Sequence, residues 1–162
     1  MNDTAPYKYR SEPFTKVFRS EDWTKAALDL LGGRGTPEFK YSTVGAQILS
    51  GVLQSATGRP MLDYAAENLF APLEITPPTA TTVADKDAHM AFIRDKYVSG
   101  WIVDPKGTPT AGWGLTLCPR DMAKIGQLYL NQGVWNGREL VPRAWVTEST
   151  KEHSKWGDLR YG

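Results

Sequence analysis

The side chains that most often carry catalysis are few in this sequence. The 162 residues include one cysteine, Cys118, and two histidines, His89 and His153. A serine nucleophile needs a base held at hydrogen-bond distance, commonly a histidine or a lysine. No serine is followed by a lysine three positions later, and no Gly-x-Ser-x-Gly elbow is present. The residues alone therefore supply no nucleophile with a matching base.

The sequence likewise contains no clear metal-binding or phosphate-binding motif. One cysteine cannot form an internal disulfide or a multi-cysteine zinc site, and two histidines leave few ligands for another metal site. We interpret Cys118 as a small, half-buried residue at a helix start. Asp85 and Asp87 are expected to face solvent in a loop. The glycine-rich run at 32–35 lacks the Lys-Ser/Thr of a phosphate-binding loop. We expect no metal and no other cofactor.

Composition and charge limit the class of partner. The chain is 41% hydrophobic and 23% charged, with a formal net charge of +1, which is typical of a globular domain. Nucleic acid is not expected as a partner, because phosphate binding needs a concentrated basic surface and the basic residues here are scattered. No apolar stretch reaches membrane-spanning length, and the N-terminus has no basic-then-apolar signal pattern. The residues alone indicate a helical binding or scaffolding domain.

The elements that would position a site are predicted to be mainly helices. Residues 1–19 show no periodicity and are predicted to form an irregular arm. Ser20 is a typical N-cap for a helix that a glycine pair ends at 32–33. The strongest pattern follows Thr43, where apolar residues recur at helical spacing. This stripe consists of Val44, Ile48, Leu49, Val52, Leu53 and Ala56, and we expect its helix to be the core of the domain.

The second half of the chain is predicted to contain shorter elements. A helix should run from Pro60 to about Phe70. The Thr-, Pro- and Gly-rich segment 76–111 is expected to hold a short helix near 85–95 and a strand near 97–103. Three features follow, namely a helix from Cys118-Pro119, a tight turn at Asn136-Gly137 and a last helix from Pro142. The sequence therefore predicts a mainly α structure with one small hairpin or short sheet at most.

The order of several short motifs resembles a known family. Gly35-Thr36-Pro37 with Phe39-Lys40-Tyr41-Ser42-Thr43-Val44-Gly45 is similar to the PGxxFxYSNxG stretch of class C β-lactamases and their relatives. Those relatives include penicillin-binding esterases and 6-aminohexanoate-oligomer hydrolases. Four later blocks keep the family order, namely Thr57-Gly58-Arg59-Pro60, Tyr64 to Leu73, Gly112 to Leu115 and Arg120 to Gly126. The resemblance covers most of the chain, from Ser20 to Val146.

The resemblance implies a fold and an activity. The family fold sets a helical domain beside an α/β domain, and we expect residues 20–162 to be the helical portion of this β-lactamase/penicillin-binding-protein-like α+β fold. The family's Ser-x-x-Lys and Lys/His-x-Gly segments are absent from the sequence. We therefore expect an internal fragment of a serine hydrolase of amide or ester bonds, inactive alone. Its expected partners are a small-molecule substrate and the missing segments of the same fold.

The resemblance also assigns roles to two residues. Tyr41 stands in the place of the tyrosine of the family's Tyr-x-Asn motif, which works beside the Ser-x-x-Lys pair in proton transfer. The resemblance therefore implies that Tyr41 is catalytic and lies at the edge of a cleft. Thr43 stands where penicillin-recognising members have Asn, and it offers only a hydroxyl on a short, stiff side chain. This departure favours a substrate-binding Thr43 in an esterase or amidase over a β-lactamase. Glu74 stands where the family commonly has glycine.

Two other interpretations remain open from the sequence. The chain could be a non-catalytic binding or regulatory module that kept the helical domain of the family. It could also belong to a split enzyme whose missing segments come from another chain.

Overall fold

The computed structural model describes residues 12–30, 39, 41–156 and 158–161. The chain divides into two compact units, each built from two separate stretches of sequence. Unit 1 comprises Met1–Leu62 and Pro78–Thr116, and unit 2 comprises Asp63–Pro77 and Leu117–Gly162. None of the helices in the described residues is long and apolar enough to cross a membrane.

Helices make up most of the regular structure of the described residues. In chain order they are α1 (Glu12–Phe18), α2 (Trp23–Asp29), α3 (Thr43–Thr57), α4 (Met61–Ala65), α5 (Lys86–Arg94), α6 (Pro119–Leu130) and α7 (Arg143–Ser149). A π-helical turn at Ala66–Phe70 continues α4. The mainly helical character predicted from the sequence is confirmed, and α3, α5 and α6 lie close to their predicted positions.

The described strands form three two-stranded sheets. The parallel pair is β1 (Thr79–Thr81) with β2 (Gly100–Ile102); the antiparallel pairs are β3 (Val134–Trp135) with β4 (Arg138–Glu139) and β5 (Ser154–Trp156) with β6 (Leu159–Tyr161). The prediction of one small hairpin or short sheet at most was wrong. Strands of two or three residues are too short to show the alternation by which a sequence reveals them.

Part of the segment predicted to be irregular is helical, since α1 occupies Glu12–Phe18. Val17 is buried, and the ring of Phe18 stacks on Trp23 of α2 with ring centroids 5.2 Å apart. Packing against α2 therefore supports a helix that has little periodicity of its own. Residues 1–11 of the predicted arm and the glycine pair predicted to end the next helix lie outside the described residues.

The start of α2 differs from its prediction. Its N-cap is Asp22 and not Ser20, and the Asp22 carboxylate accepts a hydrogen bond from the backbone N–H of Lys25 at 2.7 Å. That bond, followed by an ion pair with Lys106, lowers the pKa of Asp22. Ser20 lies in the linker after α1, where its hydroxyl donates to the carbonyl oxygen of Val17 at 2.7 Å.

Both ends of α3 follow the chemistry of helix caps. The Ser42 hydroxyl accepts from the backbone N–H of Gly45 at 2.8 Å. Gly58 ends the helix in the left-handed conformation with φ of 65°, which a glycine adopts without steric cost. Within the helix, Gly51 lies so close to the Thr24 methyl of α2 that a Cβ on Gly51 would collide with it. The glycine thus allows α2 and α3 to pack closely.

The predicted apolar stripe of α3 is only partly buried. Val44 is in the core, but Leu49 is 47% exposed and Val52 is 54% exposed. Gln47 and Ser50 are buried instead, because both side chains donate to the carbonyl oxygen of Pro109. A buried polar group with a partner is tolerated. The unit 1 core therefore combines one end of α3 with other elements, through Val17, Trp23, Ala27, Val44, Phe92 and Ile102.

Among the turns of unit 2 that have a left-handed backbone, two include residues that the sequence analysis singled out. Asn136 and Gly137 join β3 to β4 with φ of 48° and 77°, as expected of a two-residue hairpin loop, which confirms the predicted tight turn. Glu74 also has a positive φ, of 54°, and its carbonyl oxygen accepts from Lys124 Nζ at 2.6 Å. This conformation explains why glycine would suit the position of Glu74.

Cys118 lies at the N-cap of α6, as expected for a helix start, but it is exposed and not half-buried. Its thiol faces the Asp121 carboxylate on the helix surface at 3.2 Å. This contact, more than the neighbouring Lys124, lowers the pKa of Asp121.

A pair of truncations distinguishes the observed core from the predicted stripe. We expect Ile102→Ala to lower the free energy of unfolding by about 2–5 kcal/mol, because Ile102 is fully buried. Leu49→Ala removes an exposed side chain and should change it by less than about 0.5 kcal/mol. Chemical denaturation of both variants measures the difference. Equal losses would contradict the described packing of α3.

Candidate active site

Tyr41 lies at the surface of unit 1, directly before the N-cap of α3. It is 43% exposed, whereas its neighbours Ser42 and Val44 are buried. Ser42 has an extended backbone, with φ of −142° and ψ of 113°, and adjacent side chains of extended backbone point to opposite sides. The cap of α3 thus fixes the backbone next to Tyr41 while the tyrosine ring keeps contact with solvent.

Thr43, the first residue of α3, packs against Gly112. A Cβ on Gly112 would lie 3.0 Å from Thr43 Cγ2 and 3.1 Å from the Thr43 carbonyl oxygen. The absence of a side chain at Gly112 therefore lets its loop lie directly on the start of α3. Thr43 also borders a small cavity of about 10 Å³, together with the aromatic residues Phe18, Trp23 and Trp113. Tyr41 is not among the described residues that line this cavity.

The loop 109–114 is hydrogen-bonded to α3 at its start and to β2 at its end. At the first end, the Ser50 hydroxyl donates to the Pro109 carbonyl oxygen at 2.5 Å. At the other, Ile102 N–H donates to the Gly114 carbonyl oxygen at 3.0 Å. Between them the Thr110 hydroxyl donates to the carbonyl oxygen of Trp113. These bonds fix the position of Gly112 and Trp113 relative to Thr43.

Asp104 connects this loop to the start of α2. It is fully buried, and its carboxylate accepts three backbone N–H groups, those of Trp23 at 3.1 Å, Lys106 at 3.0 Å and Thr108 at 2.8 Å. A buried carboxylate is tolerated where its lone pairs are satisfied in this way. Asp104 thus holds both the turn that leads into the loop and the first residue of α2.

Four aromatic rings join these elements. Trp23 stacks on Phe18 and on Trp113, with ring centroids 5.2 and 5.8 Å apart, and the His89 ring of α5 lies 5.0 Å from Trp113. Such pairs stabilise beyond the area that they bury. The cluster packs Trp113 of the loop between α2 and α5.

An open cleft of about 790 Å³ borders this aromatic cluster within unit 1. We call it the aromatic cleft. Its lining includes Phe18, Trp23 and His89, the apolar Val83 and Val103, and charged residues from the α1–α2 linker and the start of α5. Tyr41 and Thr43 are not among its described lining residues, so the structure does not bring the two sequence-predicted site residues into this cleft.

The other candidate residues have local roles. Asp85 caps α5 by accepting from Ala88 N–H at 2.8 Å, and Asp87 lies in the first turn, so the expected loop is a helix start although both residues are exposed. His153 is exposed, with Nε2 2.7 Å from the Glu148 carbonyl oxygen. Within the described ranges, no group of three or more His, Cys, Asp or Glu side chains could hold a metal ion.

The comparisons with known proteins agree on one family. A family model described as Beta-lactamase matches residues 19–159, so the chain belongs to the beta-lactamase family. It is 28% identical over 117 residues to the 6-aminohexanoate-dimer hydrolase of Paenarthrobacter ureafaciens. The aligned region covers 72% of this chain and 25% of that protein. The chain thus spans about a quarter of the length of this curated relative.

The fold has a counterpart among solved structures. A provisionally named 6-aminohexanoate-dimer hydrolase from Bacillus anthracis superimposes with a TM-score of 0.59 and 16% identity, over 94% of this chain and 38% of that chain. At this identity the likeness concerns the fold alone. Together with the family match, it establishes a beta-lactamase-like fold related to hydrolases.

Sequence reasoning missed the residues that hold the candidate site in place. Asp104 had a readable signal, because Asp104-Pro105-Lys106-Gly107 has the residue preferences of a type I turn, and Gly107 N–H does donate to the Asp104 carbonyl oxygen at 2.9 Å. The contact between Gly112 and Thr43 had none, since these residues lie far apart in the chain.

Substitution of Asp104 tests its anchoring role. In Asp104→Asn an amide nitrogen can replace one carboxylate oxygen, so at least one of the three backbone N–H groups loses its acceptor. We expect unfolding to become easier by about 1–3 kcal/mol. The matched control is Asp87→Asn on the exposed first turn of α5, which should stay within about 0.5 kcal/mol. Thermal and denaturant unfolding measure both variants. An Asp104→Asn variant as stable as the parent would rule out the anchoring role of Asp104.

Proposed function

We propose that the complete protein is a serine hydrolase that cleaves amide or ester bonds of a small-molecule substrate. Residues 20–162 would be the helical portion of its β-lactamase-like domain. The nucleophile and its lysine would come from segments outside these 162 residues, because no serine here is followed by a lysine at the family spacing. The isolated chain is accordingly proposed to be inactive, and its partners would be those segments.

The observation that carries the proposal is the exposed Tyr41 within a chain of this family. The family match includes Tyr41, and the tyrosine lies at the solvent-facing start of a capped helix. A tyrosine that only anchored a loop could be buried without loss. The exposed ring, on a backbone fixed by the Ser42 cap, is suited to meet groups contributed by other segments.

The proposed role of Tyr41 is proton transfer. A phenol is a poor base near neutral pH, so this role needs a nearby cation, which a lysine supplies in the family that the chain resembles. The tyrosine would then take the proton of the attacking serine and later return it to the leaving group. These transfers are the steps of general acid–base catalysis in acyl transfer.

The proposed role of Thr43 is substrate contact through its hydroxyl. Its methyl group packs towards Gly112, which limits the rotation of the side chain. A threonine hydroxyl can donate one hydrogen bond and accept others, whereas an asparagine amide donates two. This difference supports an esterase or amidase and not a penicillin-recognising enzyme.

The 6-aminohexanoate-dimer hydrolase of Paenarthrobacter ureafaciens is named for a dimer of 6-aminohexanoate, a compound whose amine and carboxyl groups can join as an amide. Because the shared region is a quarter of that protein, we extend to this chain only the bond class. An amide is therefore the first substrate to assay in the complete protein.

Replacing Tyr41 by phenylalanine tests the proton-transfer role. In the complete protein, Tyr41→Phe should lower turnover about 10²–10⁴-fold with little change in stability, because only the hydroxyl is lost. The measurement is a pH–rate profile on an amide and on an ester substrate. Tyr97→Phe, at a strongly exposed tyrosine in the same unit, is the matched control and should leave turnover unchanged. Unaltered turnover in Tyr41→Phe would reduce Tyr41 to a structural residue.

Two substitutions at Thr43 separate its hydroxyl from its methyl group. Thr43→Val keeps the shape that packs on Gly112 and loses the hydroxyl, whereas Thr43→Ser keeps the hydroxyl. We expect Thr43→Val to lower kcat/KM about tenfold, as a lost hydrogen bond of about 1.4 kcal/mol would, and Thr43→Ser to retain more activity. Steady-state kinetics of the complete protein measure both. The reverse order would assign Thr43 to packing.

A further inference from the structure

We propose that the outer face of α3 is the surface on which the remaining segments of the complete protein dock. We define this outer face by Leu49, Val52, Leu53 and Ala56, which follow the helical spacing i, i+3, i+4, i+7. The inference rests on the proposed function in one respect, namely that the complete protein is longer than this chain. It does not depend on a catalytic role of Tyr41.

The outer face is apolar and yet open to solvent. Leu49 is 47% exposed and Val52 is 54% exposed, while Ala56 is exposed and Leu53 is half-buried. Apolar side chains scattered singly over a surface are ordinary, but the spacing of these residues places them together on one side of one helix. An apolar strip of this kind is typical of a surface that another element covers.

The composition of α3 supports this assignment. The helix has 15 residues and none of them is charged, although 23% of the whole chain is charged. By contrast, the shorter helix α5 exposes Lys86, Asp87 and Arg94. A helix face that stays in water normally carries charged and polar side chains. In α3 the polar Gln47 and Ser50 are buried within unit 1, and the aliphatic side chains are the exposed ones.

The length of the related proteins supports the choice of occupant. The solved relative superimposes on 94% of this chain, but the shared region is only 38% of that relative, and it is 25% of the curated one. A complete protein of similar length would have most of its chain outside these 162 residues, which is ample to cover a helix of 15 residues. A second copy of the chain is the competing occupant, and the oligomeric state distinguishes the two.

Cysteine labelling measures whether the outer face is covered. Val52→Cys and Ala56→Cys report on two positions of the face, so the test survives if one variant fails to fold. Ile93→Cys is the matched control, because Ile93 is 51% exposed on the charged helix α5 of the same unit. Each substitution is made together with Cys118→Ser, because Cys118 is the one native cysteine and is exposed.

The labelling rates are compared between the 162-residue chain and the complete protein. A maleimide should label all three cysteines rapidly in the 162-residue chain. In the complete protein we expect Val52→Cys and Ala56→Cys to react at least about tenfold more slowly, because a covered thiol reacts only after local opening, and Ile93→Cys to keep its rate. Equal rates at the three positions of the complete protein would overturn the docking surface. Slow labelling of the outer face in the 162-residue chain would also overturn it, because the chain itself would then cover the face.

Light scattering of the complete protein separates its own segments from a second copy. Slow labelling in a monomer supports docking of the remaining segments. A dimer that Leu49→Gln converts to monomers, with rapid labelling of Val52→Cys restored, would assign the face to a second copy and overturn the proposal. None of these measurements involves turnover. A Tyr41→Phe variant with unaltered turnover would therefore contradict the proposed function and leave the docking result intact.

Discussion

The arrangement of unit 1 depends on one buried carboxylate. Asp104 has no exposed surface and accepts three backbone N–H groups from two parts of the chain, the first residue of α2 and the turn after β2. Hydrogen bonds to an ionised acceptor are about twice as strong as neutral ones. By setting where the turn at 104–108 lies, Asp104 also sets where the following loop begins. That loop brings Gly112 onto Thr43 and Trp113 between two other aromatic residues.

Helices were easier to predict from the sequence than strands, for a physical reason. The caps and spacing of α3, α5 and α6 are local properties, and the turn at Asn136-Gly137 needs only two residues that accept a positive φ. The pairing of β1 with β2 joins residues about twenty positions apart, in strands of three residues. No local pattern reports such a pairing. The sequence also failed to predict α1, because this helix is stabilised by packing against α2 and shows little periodicity of its own.

The predicted stripe on α3 failed through hydrogen bonding. A prediction from periodicity assumes that apolar side chains are buried and polar ones exposed. Ser50 is nevertheless buried, because its hydroxyl donates a hydrogen bond to the Pro109 carbonyl oxygen. Leu49 and Val52 remain exposed on another face of the helix. Such a reversal needs an acceptor from a distant loop, so the sequence of the helix cannot reveal it.

The candidate site was accessible from the sequence only through resemblance. Nothing in the spacing of Tyr41 and Thr43 distinguishes them from structural residues, and their proposed roles rest on motif order. The aromatic cleft shows the opposite case, because its walls come from α1, α2, α5 and the segments after β1 and β2. Only the folded chain brings Phe18, Val83 and Val103 together.

The division of the chain into two interleaved units has a consequence for its biosynthesis. Unit 2 consists of a short early stretch, Asp63–Pro77, and a late one that begins at Leu117. The early stretch contains Phe70, Leu73 and Ile75, which are buried in the folded protein. A ribosome that adds roughly 5–20 residues per second needs several seconds to deliver the late stretch. During that interval unit 2 is incomplete, so its apolar early stretch is synthesised well before the residues with which it forms a compact unit.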